Sequence, residues 1–84
     1  MKKYRQGVSW LEPAIYRICI QGILDEKWSD YCGRMAIGPG SDPHQHAVTI
    51  LTGRLADQSA LVGILNSLHD IGYPILSVER MKAA

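Results

Sequence analysis

The stretch DQSALVGILNSLHDIGYPILSVERM, residues 57–81, carries in unbroken succession the signals of a capped helix, its stop and a strand. Asp57 stands where an N-cap carboxylate accepts a hydrogen bond from the first orphan backbone N–H groups, an interaction worth about 1 kcal/mol. Leu61, Ile64, Leu65, Leu68 and Ile71 then recur at intervals of three and four, the period of one buried helical stripe. Gly63 lies inside this pattern, where it costs roughly 0.5–1 kcal/mol relative to Ala, and a close approach of another backbone is the expected reason. Gly72 is the expected left-handed stop, and Pro74 forbids continuation. The strand that follows alternates, which predicts Leu76 and Val78 on one face and Ile75, Ser77 and Glu79 on the other.

Upstream, HAVTILTGRL (46–55) reads as a strand with Val48 and Ile50 opposed to Thr49 and Leu51, apolar enough on both faces to be central. Before it, GPGSDP (38–43) has the composition of a turn, and RMAI (34–37) that of a short strand. EKWSDYCG (26–33) predicts a helix of barely two turns, capped by Asp25, with Trp28, Tyr31 and Cys32 on one side and Gly33 as its stop. AIYRICIQGIL (14–24) alternates as a half-buried strand, with Tyr16, Ile18, Ile20 and Leu24 inward and Arg17, Cys19 and Gln21 outward. Residues 1–13 show no sustained period and end on Pro13, which suits a lead-in segment ahead of one α+β domain over 14–84.

The element order is therefore strand, helix, strand, strand, helix, strand. A βαββαβ chain of this length most simply forms a ferredoxin-like α+β fold, a four-stranded antiparallel sheet with two helices on one face. Its open face would carry Arg17, Cys19, Gln21, Ser77 and Glu79 with Ile75. A mixed surface of that kind suits a homodimer, joined sheet to sheet or by strand edges.

Composition bounds what such a domain does. The 84 residues are 46% hydrophobic and 20% charged, with a formal net charge of +1, which describes one ordinary globular domain. Near-neutral charge argues against nucleic-acid binding, which draws on clustered Lys and Arg, and Lys2, Lys3 and Arg5 form only a small basic group. The chain has no Phe, and Tyr16 belongs to the core face, so the open sheet lacks the aromatic platform that stacks RNA bases. No apolar run reaches the length of a signal-peptide core or a membrane span. Cys19 and Cys32 form neither a disulfide framework nor a Cys-x-x-Cys motif, which suits two reduced, packed thiols in the cytoplasm.

GILDEKWSDYCGRM and TILTGRLADQSALVGILNSLHDIGYPILSVERM resemble the pattern of a family of short, uncharacterised bacterial proteins. In these, an aliphatic strand ends on Gly and is followed by a Trp, then by Leu-Thr-Gly, Asp-Gln-x-Ala-Leu and Leu-Ser-Val. The resemblance covers residues 15–81 and implies a fold neighbourhood without an activity. GPGSDPHQH and the N-terminal lead are longer here than in that pattern. Residues 48–81 also resemble the strand–helix–strand unit of ACT domains, which bind amino acids and regulate enzymes. Where those domains carry a ligand-loop Gly, the comparable loop here is TGRLADQ with Gly53.

Catalytic constellations are weak. Cys32 or Ser59 with His69 is the only nucleophile and base combination on offer, and Ser59 and His69 lie nearly three helical turns apart. Asp25, Glu26 and Asp30 suit the start of a helix better than acid–base chemistry. Asp70, near a helix C-terminus, calls for an Arg or Lys partner. His44 and His46 are spaced for two ligands on one metal, but zinc sites need three or four, so solvated loop histidines are expected and no cofactor is implied. Trp28, Tyr31 and Arg34 are the residue types that dominate binding energy when partly exposed. The expectation is a cytoplasmic, noncatalytic interaction or regulatory module, dimeric, meeting a protein or small-molecule partner at those three residues, with neither nucleic acid nor membrane involved. The alternative is a small dimeric enzyme with its cleft between helices and sheet.

Overall fold

The computed structural model describes residues 13–44 and 46–83. The lead-in expected for 1–13 lies outside them except for Pro13. Four strands, β1 (Ala14–Gln21), β2 (Ala36–Ser41), β3 (Ala47–Leu55) and β4 (Ile75–Ala83), form one antiparallel sheet in the order β2-β3-β1-β4. One α-helix, α1 (Gln58–Asp70), is present among the described residues.

The expected βαββαβ fold with two helices is therefore corrected. The first connection holds only a three-residue 3-10 helix, Glu26–Trp28, followed by overlapping turns. Trp, Ser, Asp, Tyr and Cys all rank low in helix propensity, and a segment of eight residues cannot offset the cost of nucleating a helix. Leu24, Cys32 and Met35 nevertheless reach the core from this irregular chain. Gly53 makes room for it, because a Cβ there would stand 3.3 Å from Met35 Cα.

Helix α1 begins and ends as its sequence dictates. The Asp57 carboxylate accepts the Ala60 N–H at 2.9 Å. At the other end the Gly72 and Tyr73 N–H groups donate to His69 and Leu68 carbonyls, each at 3.0 Å, with Gly72 at φ +93°. This pair of bonds is the Schellman arrangement that satisfies orphan carbonyls. Leu61, Ile64 and Leu68 are buried in one cluster with Ala14, Tyr16, Ile18 and Ile20 of β1 and Leu51 and Leu55 of β3, while Leu65 and Ile71 are partly buried at its margin. A Cβ on Gly63 would meet nothing within 4 Å, so the close backbone approach expected there is absent among the described residues.

Two strand readings are also corrected. Gly38, Pro39 and Gly40 belong to β2 rather than to a turn. Pro39 is tolerated because β2 lies at the sheet edge, where a missing N–H breaks no ladder. On β4, a register irregularity between Cys19 and Ile20 puts Ile75 opposite the buried Ile20, whereas Ser77 and Glu79 face Cys19 and Arg17. Directly opposed residues share a face. Ile75 thus belongs to the helix side, not to the open face.

Candidate interaction site

Once the core is filled, two features stand out on the described surface: the connection from β1 to β2, and strand β4. The connection leaves β1 at Gly22, φ +98°, whose N–H donates to Ala47 O at 2.9 Å. Thr49 pins it from beneath, its hydroxyl donating to Gly22 O at 2.8 Å and accepting the Leu24 N–H at 3.0 Å. Asp25 then accepts the Lys27 N–H at 2.9 Å, a capping role. The Ser29 hydroxyl donates to Met35 O at 2.9 Å and ties the loop to its own exit.

This frame presents two of the three expected contact residues together. Trp28 is partly buried against the core and Tyr31 is exposed; their ring centroids lie 5.6 Å apart at 66°, an edge-to-face pair. Trp28 thus anchors the loop while Tyr31 offers area to solvent, the division expected of amphipathic aromatics. Arg34 follows Gly33, and both backbones are left-handed, at φ +60° and +69°. Its exposed guanidinium pairs with Asp30, Nε to Oδ1 at 3.6 Å, an interaction of about 0–1 kcal/mol at such exposure. Beside this loop, a mainly apolar hollow of about 170 Å³ is lined by residues that include Ile23, Leu24, Ile37, Pro39 and Val48 together with the charged Glu26. That is smaller than the roughly 300 Å³ at which small-molecule sites begin. It suits a single side chain.

His44 and His46 lie on the turn after β2, ring centroids 6.0 Å apart. Asp42 organises that turn. It accepts the His44 and His46 N–H groups at 3.0 and 2.7 Å, and its second oxygen lies 3.2 Å from His46 Nδ1. These contacts, the His46 N–H foremost, hold the Asp42 carboxyl below the usual carboxylate range. Among the described residues no group of three or more His, Cys, Asp or Glu side chains is arranged to hold a metal ion. Burial pushes the Cys32 thiol up, the opposite of activation. Ser59 and His69 sit at opposite ends of α1 and do not meet.

Residues 15–79 match the family described as Domain of unknown function (DUF8691). The chain belongs to this family. Neither a curated protein nor a solved structure matches it. The DUF8691 match runs from Ile15 in β1 to Glu79, and so includes the loop, the helix and the first part of β4. Among the described residues no helix is long and apolar enough to cross a membrane.

Strand β4 is the surface that residue-by-residue reasoning did not single out. It forms the sheet edge opposite β2 and extends over nine residues without Pro or Gly. Ile75, Leu76, Val78 and Met81 are all exposed there, Leu76 and Met81 at 48% each. Native edges are ordinarily short, interrupted or heavily charged, because their open N–H and C=O groups template pairing with another chain. β2 is guarded by Pro39 between two glycines; β4 carries neither Pro nor Gly, only the charges of Glu79 and Arg80 in its middle. The signal was present in ILSVERM, but only the strand order makes it an edge.

Proposed function

We propose that this chain is a cytoplasmic, noncatalytic interaction module that works as a homodimer and uses Trp28, Tyr31 and Arg34 to meet a protein or small-ligand partner. The observation that carries the reading is the long edge strand β4 with the exposed apolar side chains of Ile75, Leu76, Val78 and Met81, a surface that pairing with another chain would cover. The space between α1 and the sheet is filled by Leu61, Ile64 and Leu68 against β1 and β3, which favours a binder over an enzyme with a cleft there. Arg34 supports the contact surface, since a left-handed backbone favours Gly, and an exposed Arg kept in it has a use for its side chain. The resemblance of residues 48–81 to ACT domains points the same way, towards a regulatory role.

Native mass spectrometry of protein taken directly from cells tests both halves at once. The reading expects a dimer mass, with a retained molecule or partner that is lost in Arg34→Gly, a change that relieves the backbone and spares the fold. Monomer without any retained mass overturns it.

A further inference from the structure

Resting on the homodimer reading, we propose that two copies pair antiparallel through β4 about a two-fold axis at Val78, giving a continuous eight-stranded sheet with both α1 helices on the same face. The argument begins with symmetry. Antiparallel strands related by a two-fold axis perpendicular to their sheet keep corresponding residues on the same face. Directly opposed side chains also share a face. Residue i therefore opposes residue j only when i and j have the same parity, and one residue must sit on the axis opposite its own copy.

The shape of β4 narrows the choice. Its ladder with β1 is regular from Ser77 to Arg80, paired with Cys19, Arg17 and their neighbours, and irregular at either end, between Ile15 and Tyr16 and between Cys19 and Ile20. Such irregularities twist a strand and end clean pairing. The centre of the regular segment lies between Val78 and Glu79, so the axis passes through one of these two. An axis at Glu79 would set two carboxylates face to face, which is destabilising. An axis at Val78 sets Val78 against Val78 of the second copy on the helix side, and Ser77 against Glu79 of the second copy, twice, on the open side.

That second contact is complementary. Glu79 already takes Arg17 Nε on Oε1 at 3.3 Å, and a carboxylate has acceptor capacity left for a neighbouring Ser hydroxyl. The exposed side chain of Val78 would be covered at the same join. Glu79 thus acts as a register key, welcome opposite Ser77 and repelled opposite itself. The other edge supplies no competing dimer, because Pro39 and the glycines beside it interrupt β2.

Single cysteines in the full chain read the register directly, in a Cys19→Ser background. Val78→Cys would bring the two Cα atoms to about 4.5–5.5 Å, within disulfide range. Ser77→Cys and Glu79→Cys would each lie diagonal to its own copy at roughly 7–8 Å, beyond easy bridging. The expected result under mild oxidation with diamide is a covalent dimer of at least tenfold greater yield for Val78→Cys than for the other two. Sedimentation equilibrium should show dimer for the unaltered chain and monomer for Val78→Lys. A dimer that survives Val78→Lys, or bridging that is fastest at Glu79→Cys, overturns this pairing and leaves the homodimer reading standing. Monomer in the unaltered chain at 0.1 mM, with no bridging at any position, overturns both and is what coverage of β4 by another part of the same chain would give. Should Val78→Lys fail to fold, the bridging yields alone decide.

Discussion

Leu68→Ala tests the packing on which every surface argument depends. Leu68 is completely buried, in one cluster with β1 and β3, whereas Leu65, three residues earlier on the same stripe, is only partly covered. Truncating a buried Leu loses its transfer energy and leaves a cavity, about 2–5 kcal/mol in total, with the upper part of that range expected where nothing can collapse inward. We therefore expect about 3–5 kcal/mol for Leu68→Ala. At Leu65 water can reach the vacated space, the cavity contribution largely disappears, and about 1–2 kcal/mol is expected. A domain of this size is stabilised by on the order of 4–13 kcal/mol, so the first change removes about a quarter or more of the total. Urea titrations followed by far-UV circular dichroism measure both, and thermal melts should show a drop of at least about 12 °C for Leu68→Ala. Equal costs at the two positions, or a Leu68→Ala penalty below about 1 kcal/mol, would mean that the helix presents a different stripe to the sheet.

Gly63→Ala should stabilise the chain by about 0.5–1 kcal/mol, since a Cβ meets nothing there and the helix gains propensity; a loss of stability in urea would show that something covers the position. Gly33→Ala should cost about 2–4 kcal/mol, combining a left-handed backbone with a Cβ placed 2.6 Å from Ile64 Cδ1 in the core; an unchanged melting temperature would refute that packing. Cys32 should resist iodoacetamide until the chain unfolds while half-buried Cys19 reacts in the native state, and mass spectrometry of a short labelling pulse separates the two. Burial also holds the Cys32 thiol protonated above its unfolded pKa. The native state therefore binds more protons between the two pKa values, and stability should decline as pH rises past the ordinary thiol range near 8.5, a decline that Cys32→Ala removes.

Helix α1 was legible because capping, period and stop are all local and agree: Asp57, the Leu and Ile stripe and Gly72 perform the roles that their positions suggest. The alternation of β1 was legible for the same reason, since one buried face enforces it. The first helix is not formed although Asp25 and Gly33 do act at their expected ends, as a capping side chain and a left-handed turn, because the seven residues between them lack the propensity to propagate. Gly38-Pro39-Gly40 was misread as a turn because Pro in a strand is admissible only at an edge, and edge position is a property of the whole sheet. The placement of Ile75 depends on one extra residue in the β1–β4 ladder, which no period reveals. At the loop, Trp28 and Tyr31 could be paired from their spacing, but the left-handed backbone of Arg34 could not.

The missing helix bears directly on why β4 is bare. A helix with its side chains is about 10 Å across, and strands lie about 4.8 Å apart, so one helix covers two strands of a sheet. Four strands need two helices, or one helix and a substitute. Here α1 takes β1 and β3, and the irregular connection with Leu24, Trp28, Cys32 and Met35 substitutes over the β2 side. Helix α1 also touches β4, yet none of the described side chains of β4 enters the buried core. A strand in that position would be expected to have turned polar on both faces, yet Ile75, Leu76, Val78 and Met81 have not. Apolar side chains that are only part covered within the described fold are best explained by further cover from outside it. A second β4, carrying the same part-covered row, is the one partner whose need for cover this structure itself supplies.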